Sequence, residues 1–423
     1  MLELFLIYLW EHKLLQLPLY TTAQDAVEIL SSGKRNTDSG PDFVDARIKI
    51  GDIVWAGSIE MHINASDWYR HGHQSDPAYN NVVLHVVYEP DKEVADHMQR
   101  PIPTLSVKDR FDPQLLLRYR SFIDSRSFIA CEKQLASVQR FTWLSWLDRM
   151  ASERLQEKVE AVLEHLKQSG NDWDEIFYRQ LLSNFGMKVN DQAFAQLARL
   201  LPLHLLLRHI NRPDQIEALL FGLAGLLDAP YTDPYPNKLK QEYLFLKQKY
   251  SLTSMPASHW RFMRMRPQNF PTIRLSQFAA LIHKNGRLFS KILHTETVEN
   301  IMQLFEVNAS EYWDNHYRFD KISKGKPKHL GKETISVLLI NAVVHMLFAY
   351  GIHTEDRQHS DNALMLLENL PPEHNAVTRG YEKAGLSVTN ALHSQALLHL
   401  KRNYCDKKRC LECRIGQILI KAK

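Results

Sequence analysis

Asp42, Glu60 and His62 are the residues whose types and order most directly suggest chemistry in this chain. Two carboxylates and an imidazole gathered at one point suit a hard divalent cation, and the oxygen donors favour Mg²⁺ or Mn²⁺. A β-hairpin must do the gathering. Residues 46–50 read as one short strand, Gly51-Asp52 as a two-residue turn, and residues 53–63 as a longer second strand. In that strand Trp55, Ile59, Met61 and Ile63 alternate with the others, so Glu60 and His62 share the face opposite the core. Pro41 fixes the backbone just ahead of Asp42 in Ser39-Gly40-Pro41-Asp42-Phe43.

The order helix, Asp, hairpin, Glu-x-basic, strand resembles the PD-(D/E)XK nuclease superfamily. In that superfamily an Asp and a Glu bind metal, and a Lys two residues after the Glu orients the attacking water. The matching positions are Pro41-Asp42 and Glu60-Met61-His62, and the likeness covers about the first 110 residues. His62 stands where the superfamily has Lys, and a neutral imidazole accepts a proton from water or ligates metal where lysine supplies a fixed charge. Glu11, on the expected first helix, matches the further helix-borne acid of many members. The resemblance implies a restriction-endonuclease-like fold in which Asp42 and Glu60 hold the ion, His62 positions or deprotonates the water, and Glu11 supports a second ion or a water. The plain alternative makes Asp42 a turn residue, and Glu60 and His62 solvent-facing strand residues.

Between the hairpin and the next apolar strand lies a polar segment, residues 66–76, that holds Asp67, His71, His73 and Asp76. His71 and His73 suit zinc, with Asp67 or Asp76 beside them, or a phosphate when protonated. The competing reading is a loop near the active site in which Ser66-Asp67 caps a short helix. His85, inside the apolar run 82–88, reads as a satisfied core histidine.

Cys405, Cys410 and Cys413 have a C-x4-C-x2-C spacing, and Cys131 is the only other cysteine. If Cys131 folds back, the four make one tetrathiolate site for Zn²⁺ or an iron–sulfur cluster. Some nucleases of the same superfamily resemble this, with one upstream cysteine and three near the C-terminus holding such a cluster. Lys401, Arg402, Lys407, Lys408 and Arg409 flank the thiols and suit either thiolate charge or phosphate. Arg261, Arg264 and Arg266 alternate with aromatic and sulfur side chains over residues 260–270, a pattern that fits DNA or RNA contacts as well as it fits arginines snorkelling from an amphipathic element. Arg274, Lys284, Arg287 and Lys291 extend that basic character.

A chain of 423 residues exceeds one ordinary core. Strand-like texture gives way to helical spacing, so the expected class is α+β: a small α/β domain over residues 1–125 and a mostly helical region over 126–423. Residues 221–227 read as a close helix contact, and their sequence lacks the lysine of a phosphate loop. The net charge of +4 permits a nucleic-acid partner without requiring one. The apolar start, residues 1–10, has no basic leader or cleavage site and is interrupted by Glu11, His12 and Lys13, so a buried first helix is expected. No other stretch approaches transmembrane length by inspection, and four cysteines in all suit a cytoplasmic location with no membrane partner.

As a whole the sequence also resembles a bacterial family of proteins of unknown function. The residues that carry this likeness are Ser39 to Phe43, Gly57 to His62, Asp67-Trp68, His71-Gly72-His73, Arg266 to Pro271 and Tyr404 to Cys413. The expected function is that of a metal-dependent nuclease or nucleic-acid-processing protein. The alternatives are an inactive nucleic-acid or protein interaction module on the same fold, and a different metallohydrolase built on the histidine-rich loop.

Overall fold

In the computed structural model, which describes residues 3–168, 170–295 and 297–422, helix α1 (Glu3–Glu11) is buried from Phe5 to Trp10. Met1 and Leu2, which begin the expected first helix, lie outside the described residues. Seven strands follow: β1 (Leu19–Tyr20), β2 (Ala26–Ser31), β3 (Lys34–Arg35), β4 (Phe43–Ile50), β5 (Ile53–Asn64), β6 (Val82–Glu89) and β7 (Thr104–Ser106). They form one mixed sheet in the order β1-β2-β4-β5-β6-β7, with β3 paired to the start of β4. That pairing explains why β4 begins at Phe43, earlier than the alternation alone suggests.

Gly51 takes φ 56°, the left-handed conformation that a two-residue hairpin turn needs, and β4 and β5 then pair antiparallel from Ile50 opposite Ile53. β5 and β6 pair in parallel, placing Glu60 beside His85 and His62 beside Val87, so these four share one face. The other face carries Ile59, Met61, Leu84 and Val86, all buried, on the strand that α1 packs against.

The face with Glu60 and His62 is covered as well, which corrects the expectation that it looks away from the core. Helix α2 (Asp67–Arg70) and the turns after it lay Trp68 over this side of the sheet, where it joins Ala65, Val82, Val87, Val94 and Ile102 in a second apolar cluster. Glu60 is consequently 6% and His62 1% exposed.

The chain forms two units, Met1–Trp146 with Leu400–Lys423, and Leu147–His399. The first therefore includes, beside α3 (Pro113–Asp124), also Cys131, the start of α4 (Arg140–Gln168) and the three C-terminal cysteines, which lie beyond the expected boundary at 125. Hydrogen bonds show why the C-terminal segment returns. Arg118 donates to the carbonyls of Ile420 and Ala422, and the Lys408 ammonium donates to the Phe122 and Ser125 carbonyls.

The second unit is helical apart from a two-stranded ribbon. Its helix Lys332–Thr354 has the length and apolarity to cross a bilayer, contrary to the expectation that no further stretch approaches that length. It is instead a core helix, with 72% of its most apolar stretch buried in the protein and Ala342, Val343 and Val344 fully enclosed. The close contact expected near residue 222 is present, since a Cβ on Gly222 would lie 2.0 Å from the Tyr243 ring. Arg274 is 3% exposed and bonded to Gln277, Asn269 and Thr334, so it builds the core of this unit and does not extend a basic surface.

Candidate metal centre

Asp42 and Glu60 meet across the hairpin. The backbone N–H of Asp42 donates to Glu60 Oε2 at 3.1 Å, and that of Met61 donates to Asp42 Oδ2 at 3.0 Å. Each carboxylate thereby spends one oxygen on the backbone of the other's strand. The second Glu60 oxygen, Oε1, lies 3.6 Å from His62 Nε2 and 3.3 Å from His73 Nε2. His62 Nε2 is in turn 3.1 Å from His71 Nδ1.

Three imidazoles therefore converge: one ring nitrogen from each of His62, His71 and His73 lies within 4.8 Å of the others. His62 comes from β5. His71 ends α2, and Gly72, at φ 79°, turns the backbone so that His73 follows on the same side. Tyr79 stacks on His73 with ring centroids 3.8 Å apart, and Trp68 meets it edge-on at 5.4 Å, so aromatic packing fixes that ring. His71 is exposed, which leaves the cluster open to solvent on one side.

On its far side, His62 Nδ1 is 2.8 Å from His85 Nε2. His85 is thus part of the imidazole chain, not the satisfied core histidine expected, and its Nδ1 is buried without a partner. A neutral His62 has one ring proton to share among His85, His71 and Glu60. A cation on Nε2 resolves that competition, because the proton then sits on Nδ1 and donates to His85, the usual support for a metal-bound histidine.

Electrostatics favour the same state. Burial pushes the Glu60 carboxyl up, with the Asp42 charge adding to it, and burial followed by the Glu3 charge raises Asp42. Burial also pushes His85 down to about 3 and lowers His62 and His73, with neighbouring histidines adding to each shift. Neutral imidazoles beside two carboxyls that repel each other form a set whose tension a divalent cation relieves. Bonds of about 2.0–2.1 Å to a tetrahedral ion imply donor–donor edges of roughly 3.3–3.4 Å. The 3.1 Å between His62 Nε2 and His71 Nδ1 is close to that length, and the three ring nitrogens all lie within 4.8 Å of one another.

The other expected residues fall as follows. Glu11 is exposed at the far end of α1 and faces Arg35 at 3.9 Å. The acid of that helix whose charge reaches Asp42 and Glu60 is Glu3, which the hairpin pattern did not single out. Asp67 is 5% exposed, and its carboxylate accepts from the Asn64 N–H and from Arg70. Ser66 does not cap α2 with its side chain; its hydroxyl donates to Asp91. Cys131, Cys405, Cys410 and Cys413 line one cavity of the same unit. Arg264 and Arg266 are exposed on an irregular segment of the second unit. His85 and Tyr79 entered no sequence-based set of site residues, and only the parallel register of β5 and β6 brings His85 to Glu60.

No curated protein and no solved structure matches the chain. The family model described as "Protein of unknown function (DUF2851)" matches residues 3–376, which include every residue of the histidine and carboxylate cluster. The chain belongs to that family.

Proposed function

We propose that the first unit is a metal-dependent hydrolase whose single divalent ion is held by His62, His71 and His73. The observation that carries this reading is the convergence of three ring nitrogens within 4.8 Å, open to solvent at His71. Three imidazoles move the expected metal from Mg²⁺ or Mn²⁺ to Zn²⁺ or a similar borderline ion. Such an ion, when bound, supplies a water acidic enough to attack near neutral pH and a charge that stabilises the developing oxyanion.

The residues of the chain divide the remaining work. Glu60 Oε1, within 3.6 Å of two of the imidazoles, accepts the proton of the attacking water. Asp42 holds Glu60 in place through the reciprocal backbone bonds. His85 fixes the tautomer of His62, and Tyr79 fixes the plane of His73. Phosphodiesters in DNA or RNA are the substrate class we propose, on the strength of the paired acids on an antiparallel hairpin and the likeness of their order to that of PD-(D/E)XK nucleases. Exposed Arg264 and Arg266 in the second unit suit the same partner.

The test is hydrolysis of an activated phosphodiester, single-stranded DNA and RNA by the full chain supplied with Zn²⁺, Mn²⁺ or Mg²⁺. Turnover that depends on Zn²⁺ or Mn²⁺ and falls about 10²–10⁴-fold in Glu60→Gln supports the proposal. Tight metal binding with no turnover of any phosphoester makes the ion a structural staple for the 66–79 loop and removes the hydrolase reading.

A further inference from the structure

The second cluster of ligating side chains is far from the hairpin in sequence. Cys131 precedes the turn Glu132–Ser137, Cys405 ends the π-helical turn Lys401–Cys405, and Cys413 is the residue that opens the C-terminal helix Arg414–Lys421. Together with Cys410 they line a cavity of about 20 Å³, walled otherwise by Phe122, Ala130, Tyr404, Arg409 and Gly416. Three of these cysteines lie within nine residues of one another, and the fourth reaches them across more than 270 positions.

The loop that carries them is tightly built. A Cβ on Gly416 would lie 2.1 Å from the Cys410 carbonyl oxygen, so the loop presses directly on the first turn of the helix. Lys408 contributes positive charge close to Cys410 while its ammonium ties the loop to the carbonyls of Phe122 and Ser125.

Cavity size decides between the two guests that a four-cysteine set admits. Space of about 20 Å³ is roughly one water-sized guest. A single ion needs no more room than that, whereas a multi-iron cluster with bridging sulfides needs more.

We propose that Cys131, Cys405, Cys410 and Cys413 hold one zinc ion, a closed structural site that fastens the C-terminal segment to the α3 region of the first unit. A closed tetrathiolate has no open position for substrate, so its role is stability. This inference is independent of the histidine centre.

The test uses the full chain carrying His71→Ala and His73→Ala, so that the cysteine set alone is counted. Elemental analysis is expected to find one zinc per chain, and X-ray absorption at the zinc edge is expected to show four sulfur neighbours at about 2.3 Å. Adding Cys131→Ser is expected to abolish that zinc and to make residues 400–423 accessible to limited proteolysis. Should the Cys131→Ser chain not fold, the zinc-edge spectrum of the chain carrying only His71→Ala and His73→Ala decides the matter. Iron with acid-labile sulfide, nitrogen or oxygen neighbours at the edge, or a folded metal-free chain whose four thiols all react with a thiol reagent, overturns the proposal.

Discussion

On the proposed reading the side chains gathered at the hairpin divide their work, and their substitutions separate binding from chemistry. His73 and Glu60 Oε1 are 3.3 Å apart, yet they carry different roles. His73→Ala removes a donor and is expected to lower metal affinity at least tenfold, read by competition with a chromophoric chelator. Glu60→Gln keeps the size and the Oε1 position, so metal content is expected to stay within twofold of the parent while turnover falls. Equal loss of metal in both variants would contradict that split and make Glu60 a ligand of the same rank. His85→Ala leaves His62 without its Nδ1 partner and is expected to cost about 10–100-fold in metal affinity without touching the ion. The acids Asp42 and Glu60 and the imidazole of His62 were legible as a set, because strand alternation and the Pro-Asp step are local signals. His71 and His73 were legible as ligand types. Their meeting with His62 was not, since it depends on how residues 65–79 fold back over the sheet.

At the level of elements, that covering segment is what turns one face of a central strand into a buried site. Trp68 is fully buried, its Nε1 donates to the Ala95 carbonyl, and its ring meets His73 and His85. Trp68→Ala is expected to destabilise the first unit by about 3–5 kcal/mol and to weaken metal binding together with it. Denaturant unfolding followed alongside metal content checks both. A loss of stability with metal affinity intact would show that the lid does not position the histidines. The alternation in β5 gave its two faces correctly but not their environment, because alternation reports which residues share a face and not what later packs on it.

The helix Lys332–Thr354 of the second unit carries an independent prediction. His345 is 4% exposed, donates through Nδ1 to the Asn341 carbonyl, and is pushed down to about 3 by burial. The unfolded chain, with an ordinary histidine near 6.5, binds the proton first as pH falls. The stabilisation is therefore complete above about pH 6.5 and is lost progressively toward pH 3, amounting to about 2 kcal/mol already at pH 5. His345→Leu is expected to lose correspondingly less stability between pH 7 and pH 5 than the parent in urea titrations. Identical slopes for the two proteins would rule out this histidine as a source of acid sensitivity. Asn341 and His345 interrupt the apolar run of this helix, and both bond to the backbone within the helix itself.

For the molecule as a whole, an α+β class with strands first and helices after was readable from the change in hydrophobic period. The extent of the first unit was not, because the return of Leu400–Lys423 is made by single polar contacts that local composition does not announce; only the cysteine spacing pointed to it. The consequence is a unit with two separate groups of side chains of ligating type, one of imidazoles and carboxylates and one of thiols. Metal bound to the folded chain alone adds stability by mass action, about 4 kcal/mol at a thousandfold excess over the dissociation constant. Thermal unfolding of the first unit is thus expected to shift upward on adding Zn²⁺ to a chelator-treated chain.

The most direct check of the central claim is a count of zinc per chain in the parent and in the His71→Ala, His73→Ala double variant, both loaded with excess Zn²⁺ and freed of loose metal. The expected result is one equivalent fewer in the variant, with far-ultraviolet circular dichroism unchanged. Equal zinc in the two proteins would mean that the three imidazoles near Glu60 hold no ion, and the hydrolase built on them would fall.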